Sequence, residues 1–267
     1  MGKIIDAHLH LVEGDLYFDQ IALAAGHENR LAHLEKEYQR LGITGGIVMG
    51  NRGLELECHQ YPQWLRYCIG LDGRYLSAHP VEEALGQVEM HLQRGQCAGV
   101  KLYPGYHHYY ISDPIYDPVY ELAERYQKVV AVHTGETAGP HALLKYSHPL
   151  TLDEAAVKYP KVQFVMCHFG NPWLNDAAAV ISKNPNVAAD LSGLLEGRAD
   201  IGELLEDKKG YVEALRTWLG YLDYRRILFG TDWPLANLEE YIRFIGAVVP
   251  EKYQEAVFYN NAAKIYG

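Results

Sequence analysis

The sequence predicts an α/β protein built as a (β/α)8 barrel. Two observations carry that expectation. Eight short apolar runs, rich in β-branched residues, recur along 267 residues, and segments with helical spacing separate them. Alternation of this kind points to a parallel sheet wrapped by helices, and eight units suit the length of a closed barrel. The alternative, an open doubly wound sheet, is disfavoured because no glycine-rich phosphate loop follows the first run.

The eight runs are Ile4 to Leu9, Ile43 to Met49, Arg66 to Leu71, Ala98 to Tyr103, Val129 to His133, Val162 to His168, Val187 to Leu191 and Arg226 to Phe229. Helical spacing is found over Glu28 to Leu41, Val81 to Arg94, Ile115 to Tyr126, Leu152 to Lys158, Pro172 to Lys183, Ile201 to Leu219 and Leu238 to Val248. Asn171 before Pro172 reads as a cap-then-proline helix start. "TLDE", from Thr151 to Glu154, has capping-box spacing. After Pro250 the chain ends in one or two short closing helices. No linker or composition shift divides it, so a single domain over residues 1–267 is expected.

Composition narrows the classes of function. The chain is 48% hydrophobic and 22% charged, with a formal net charge of -10. That is ordinary for a globular protein with a sizeable core. No Lys/Arg run offers a nucleic-acid footprint, and an acidic surface disfavours anionic membranes. Cys58, Cys68, Cys97 and Cys167 are widely spaced, with no C-x-x-C pair, and read as reduced, mostly buried thiols. There is no signal-peptide layout and no apolar run of membrane-spanning length. Asp6 stands where a myristoylation signal needs Ser or Thr. A cytoplasmic protein is expected.

The chemistry lies at the ends of the runs. In a strand, residues two apart share a face, so in "KIIDAHLHL" His8 and His10 point together, about 7 Å apart along the strand, with Asp6 one step below. Such a pair is either two satisfied core histidines or half of a metal site. The other strand ends favour the second reading. "VVAVHTGE" ends in His133, "VQFVMCHFG" carries His168, and "RILFGTDWP" carries Asp232. In a barrel these residues crowd one rim, where active sites form. Unpaired, they would be costly to bury; a divalent cation makes the cluster favourable.

These motifs resemble those of the amidohydrolase superfamily: HxH on strand one, HTG on strand five, CHFG on strand six and GTDWP on strand eight. The likeness is to the amidohydrolase-related group, which holds metal-dependent hydrolases and aminocarboxymuconate-semialdehyde-type decarboxylases. "GVKLYPGY" resembles that group's strand-four segment and "YNNAAKIYG" its closing helix. The resemblance implies one Zn²⁺, or else Mn²⁺ or Fe²⁺, held by His8, His10, His133 and Asp232, with His168 beside it. Imidazole and carboxylate suit zinc, and a catalytic site keeps one position open for water. Asp232 could then take a proton from water and His168 could hydrogen-bond a developing oxyanion. Asp6 is either an orienting partner of a ligand imidazole or a core carboxylate paired with backbone. Family members are often dimers, so a homodimer is a further expectation.

Lys101 closes strand four. In some amidohydrolases a lysine there is carboxylated and bridges two metals. No second ligand set is evident here, so Lys101 is read as a substrate-facing cation or the partner of an acid. The following loop, "YPGYHHYYISDPIYDPVY", is dense in aromatics. Tyr103 and His107 are its substrate-contact candidates, with Tyr106, His108, Tyr109 and Tyr110 either lining the pocket or packing on neighbours. Arg52 and Arg74, after strands two and three, are either carboxylate clamps or surface ion pairs. His27, His33, His59, His79, His91, His141 and His148 lack ligand-like pairing. No G-x-S-x-G elbow and no Walker loop are present.

The main expectation is therefore a metal-dependent hydrolase of a small amide, lactone or ester. The alternatives are a metal-dependent non-oxidative decarboxylase of a small unsaturated or aromatic acid, and a non-catalytic metal-binding barrel. A small-molecule substrate is expected, and neither nucleic acid nor membrane.

Overall fold

The structure is a computed structural model that describes residues 2–71 and 81–267. Arg74 and His79 lie outside these residues. Eight strands form one sheet in sequential order, every pairing parallel. They are β1 (Ile4–Leu9), β2 (Ile43–Met49), β3 (Leu65–Leu71), β4 (Cys97–Leu102), β5 (Val129–Val132), β6 (Phe164–Met166), β7 (Val187–Asp190) and β8 (Ile227–Leu228). The first and last strands also meet. Ala7 N donates to the Phe229 carbonyl, and Leu9 forms a parallel bridge with Trp233. The sheet thus curls into a nearly closed barrel, and each predicted run has become a strand.

The strands are buried on both faces, which explains their continuous apolar character. The barrel interior is filled by small or slim side chains, among them Ala7, Ala98, Ala131, Val165 and Ala188. Ala262 and Tyr266 join this inner cluster from the closing segment. The outer faces pack against the helices in a larger cluster.

The helices are α1 (Leu16–Ala24), α2 (Leu31–Leu41), α3 (Val81–Leu92), α4 (Asp117–Tyr126), α5 (Leu144–Ser147), α6 (Thr151–Lys158), α7 (Leu174–Lys183), α8 (Ile201–Asp207), α9 (Lys209–Tyr221), α10 (Leu238–Val248), α11 (Glu251–Glu255) and α12 (Asn261–Tyr266). Their ends follow local chemistry. Gly42, at φ 75°, caps α2 in the left-handed region that glycine enters without steric cost. The Asn237 side chain accepts from Glu240 N at the start of α10.

Several local expectations are corrected. Asn171 is not the cap of α7, which begins at Leu174 without a side-chain cap. The Asn171 backbone instead bonds His168 and Glu136, tying two strand-end loops together. Thr151 forms no capping box; its hydroxyl donates to the His148 carbonyl. The single helix expected over Ile201 to Leu219 is two helices that meet at Lys208. Two helices were not expected. Of these α1 is the more telling, since its apolar residues surround it and leave no polar stripe to read. Leu16 is 79% exposed and Leu23 77%, and within the helix only Ala22 is buried.

The three cysteines Cys68, Cys97 and Cys167 are buried and free, and Cys58 is half-buried. No helix among the described residues is long and apolar enough to cross a membrane.

Candidate metal centre and active site

Each predicted strand-end residue stands at the same rim of the barrel. His8 is inside β1 and His10 just beyond it. His133 follows β5, His168 follows β6, and Asp232 follows β8. His168 and Asp232 have φ of 63° and 58°, a region that non-glycine residues rarely adopt and that clusters at functional sites. The turn after β7 makes room for them. A Cβ on Gly193, whose φ is 66°, would lie 2.8 Å from His168 Nδ1 and 3.0 Å from Asp232 Oδ2. Only glycine fits there.

Three acceptor atoms converge at the rim. His8 Nε2 lies 3.4 Å from His10 Nε2 and 3.3 Å from Asp232 Oδ1, and His10 Nε2 lies 3.1 Å from Asp232 Oδ1. The other nitrogen of each imidazole is taken. His8 Nδ1 donates to Asp190 Oδ2 at 3.0 Å, and His10 Nδ1 donates to the Met49 carbonyl at 3.2 Å and to Asn51 Oδ1. With their protons on Nδ1, both rings aim Nε2 lone pairs at a carboxylate oxygen that has no hydrogen-bond partner. Lone pairs this close repel unless a cation lies between them. Ligand atoms about 2.0–2.1 Å from a tetrahedral Zn²⁺ are themselves about 3.3–3.4 Å apart. The trio therefore fits a divalent cation of that kind.

The electrostatics agree. Burial, and then the Lys101 charge, push His8 down to about 3, so its ring stays neutral near pH 7. Burial also lowers His133 and His168. Burial pushes Asp232 up, but the nearby imidazoles, His10 first, outweigh it and hold the group well below the usual carboxylate range. Neutral imidazoles with an ionised carboxylate are the protonation states that bind metal.

His133 is beside the trio rather than within it. Its Nδ1 lies 3.1 Å from His168 Nε2, and its Nε2 lies 3.1 Å from the Glu136 carbonyl. His8, His10 and Asp232 are within ligand distance of one another; His133 is not among them. A second trio, His8, Cys167 and Asp190, is fully buried. Two of its contacts are already met, since His8 Nδ1 binds Asp190 and Cys167 Sγ takes a hydrogen bond from Lys101.

The other sequence candidates divide. Lys101 is fully buried, lines the rim cavity, and lies 2.8 Å from Cys167 Sγ with its ammonium 5.2 Å from the Tyr103 ring centre. Tyr103 also lines the cavity and donates to the Gly50 carbonyl at 2.8 Å. Tyr106 lines it too, 5.0 Å from the His133 ring. His107 does not line the cavity. Its ring is buried and bonds the Tyr116 hydroxyl at 2.9 Å, because the loop turns it into the layer beside β4. Arg52 also lies outside the lining, half-exposed and near enough to His59 and Tyr61 to bias their protonation. Arg74 is outside the described residues.

For Asp6 the structure supports the second of its two readings, a core carboxylate paired with backbone donors. The β1–β2 register shifts between Asp6 and Leu9, a bulge that ends strict alternation. Asp6 therefore turns toward α2, where Tyr38 donates to it at 2.7 Å, and His8 turns to Asp190. Asp6 also accepts from Thr231 N at 2.9 Å, from the Thr231 hydroxyl at 2.5 Å and from the backbone N of His8 at 3.2 Å. It braces the backbone of two strand ends and does not touch a ligand imidazole.

The partner of His8 is Asp190, which the sequence reading passed over. "VAADLSG" ends a valine-and-alanine run in a carboxylate, the same strand-end signal that marked His133 and Asp232. Ser192, two residues on, lies 2.9 Å from His168 Nδ1.

The cavity over these groups measures about 770 Å³, within the range of small-molecule sites. Its wall combines Tyr17, Phe18, Tyr103 and Tyr106 with Glu136 and Glu196 nearer the mouth, and Lys101 is its one lysine or arginine among the described residues.

A family model for Amidohydrolase matches residues 5–267. No curated protein gives a match. Among solved structures, the chain is similar to an amidohydrolase from Burkholderia multivorans with bound zinc, at 16% identity over 99% of each chain, TM-score 0.70. It is similar to a putative 2-pyrone-4,6-dicarboxylic acid hydrolase from Pseudomonas putida, at 17% identity over 100% of this chain and 98% of that one, TM-score 0.65. It is also similar to 2,6-dihydroxybenzoate decarboxylase from Rhizobium, at 15% identity over 100% of this chain and 99% of that one, TM-score 0.69. At such identities the likeness is one of fold.

Proposed function

The chain belongs to the amidohydrolase family, and on that premise we propose that it is a metal-dependent hydrolase of a small lactone, amide or ester. The observation that carries the reading is the unpartnered Asp232 Oδ1, facing two imidazole lone pairs at the floor of a cavity of about 770 Å³. His8, His10 and Asp232 would hold one divalent cation, taken as Zn²⁺ from the donor set. Such a cation supplies Lewis-acid polarisation of a carbonyl and acidifies water near neutral pH.

The residues of the chain do the rest. Asp232 is ionised, and its Oδ2 borders the space that Gly193 leaves open, where it can take the proton of an attacking water. As the water oxygen bonds to the carbonyl carbon, His168 can hydrogen-bond the oxygen on which negative charge develops. The bond from that carbon to the leaving oxygen or nitrogen then breaks, and the leaving atom receives the proton from Asp232. Lys101 offers its ammonium to an anionic substituent of the substrate, and Tyr103 and Tyr106 bound a flat scaffold.

The test is elemental analysis of the purified protein followed by a panel of lactones, amides, esters and unsaturated acids. Acid release with uptake of one water per turnover is the expected result. Carbon dioxide release without water uptake would overturn hydrolysis in favour of decarboxylation. Bound metal with no turnover on any member would favour a non-catalytic barrel.

A further inference from the structure

Asp190 sits at the end of β7, fully buried, and four donors point at its carboxylate. Oδ2 accepts from His8 Nδ1 at 3.0 Å. Oδ1 accepts from the backbone N–H of His168 at 3.0 Å and of Ser192 at 3.1 Å, and from the Ser192 hydroxyl at 2.5 Å. The Ser192 oxygen in turn lies 2.9 Å from His168 Nδ1, and the Ser192 carbonyl lies 3.2 Å from the same nitrogen. One carboxylate thus reaches two imidazoles of the rim, directly on one side and through a hydroxyl on the other.

The proton positions follow from this arrangement. An ionised carboxylate only accepts, so His8 must carry its proton on Nδ1 and present a bare Nε2 to Asp232 and His10. The Ser192 hydroxyl has given its one proton to Asp190. Its oxygen and the Ser192 carbonyl both face His168 Nδ1 and fix the orientation of that ring. We infer that Asp190 is a positioning residue with two separable duties: it sets the His8 tautomer that binds the cation, and through Ser192 it sets the orientation of His168 for turnover. The inference rests on the metal-dependent reading only in taking His8 as a ligand of the cation.

Asp190→Asn separates this role from simple packing. An amide fills the same space but offers one acceptor oxygen to four donors. If its NH2 faces His8, the ring must move its proton to Nε2, straight toward His10 and Asp232. If it faces Ser192, the His168 arm is broken instead. A wrong tautomer held in correct geometry disables a site without unfolding the chain. Ser192→Ala is the milder partner: it leaves the Asp190–His8 bond intact and removes only the bridge to His168.

The experiment uses the full chain and measures zinc affinity by competition with a chromophoric chelator, imidazole tautomers by long-range ¹⁵N–¹H correlation, and kcat and KM on whichever substrate the panel yields. For Asp190→Asn, zinc affinity is expected to fall about 10–100-fold, the usual effect of losing such a partner. Ser192→Ala is expected to bind zinc within about twofold of wild type while kcat falls about tenfold or more at similar KM. Equal zinc affinity in wild type and Asp190→Asn would overturn the inference, as would a wild-type His8 with its proton on Nε2. If Asp190→Asn does not fold, Ser192→Ala decides: a parallel loss of zinc affinity and turnover there would overturn the division of duties. A wild-type chain that binds no zinc would refute the metal-dependent reading instead, so the two failures are distinct.

Discussion

His10 Nε2 and Asp232 Oδ1 lie 3.1 Å apart, the first just past β1 and the second just past β8. Their approach requires the barrel to close, and it leaves Asp232 Oδ1 facing two ring nitrogens without a hydrogen bond. A cation bound there ties the first strand to the last, so it should stabilise the fold. By mass action, a ligand at a hundred times its Kd adds about 2.7 kcal/mol. Thermal melting of wild type with and without Zn²⁺ should show a rise of several degrees, and strong chelation should reverse it. Asp232→Ala should abolish both the response and measurable turnover; an undiminished zinc response in that variant would contradict the ligand assignment.

Lys101 is fully buried, and among the described residues its ammonium donates to the Cys167 thiol, a weak partner for such a charge. An anionic substrate group would meet it at the cavity floor. Lys101→Met keeps most of the volume and removes the charge. For a carboxylated substrate KM should rise about 10–100-fold, corresponding to about 1.4–2.8 kcal/mol, with a smaller change in kcat. For a neutral substrate of the same shape KM should hardly change. Equal effects on both would mean that Lys101 supports the cavity without binding the substrate's charge.

Gly193 offers a test of close packing at the catalytic groups. Alanine there would need a positive φ and would press on His168 Nδ1 and Asp232 Oδ2 at 2.8 and 3.0 Å. Displacements of about 1 Å at reacting groups cost about a hundredfold in rate, so Gly193→Ala should lose that order of kcat. The strain should also lower stability by about 1–2 kcal/mol. Steady-state kinetics and urea unfolding measure the two effects separately.

His107 provides the pH dependence. Burial, and then the neighbouring His108, hold its ring down to about 4, against 6.5 when unfolded. A depressed imidazole means that the unfolded chain binds the proton first. Its contribution to stability is present above pH 6.5 and is lost as the pH falls from 6.5 toward 4. Within that window one histidine changes stability by up to about 1.4 kcal/mol per pH unit. His27 and His59, each lowered to about 4 chiefly by burial, act in the same direction. Urea unfolding at pH 4.5, 5.5 and 6.5 should therefore show a shallower slope for His107→Gln than for wild type.

Much of this molecule is legible along the chain because strands and ligands share one signal. Apolar runs that end in His133, His168 and Asp232 announce both a barrel strand and the rim where the candidate site forms. Asp190 carries the same mark at the end of β7, but it stands without a histidine beside it, so local pattern does not single it out. His107 misled for the opposite reason. A histidine in an aromatic loop looks like a substrate contact, but its direction is set by Tyr116, nine residues on.

The strand-and-helix order, the ligand-type residues and the end of the barrel they occupy were determined by local pattern alone. Alternation of apolar runs with helical segments admits few topologies, and parallel strands must all finish at one rim. Tertiary structure decided which way each side chain points. The β1 bulge turned Asp6 to Tyr38 and left Asp190 to partner His8. Tyr116, in the turn before α4, drew His107 inward, and barrel closure set three acceptors within 3.4 Å of one another. Contacts between residues far apart in the chain depend on register and packing of the whole sheet, and no window of neighbouring residues contains that information.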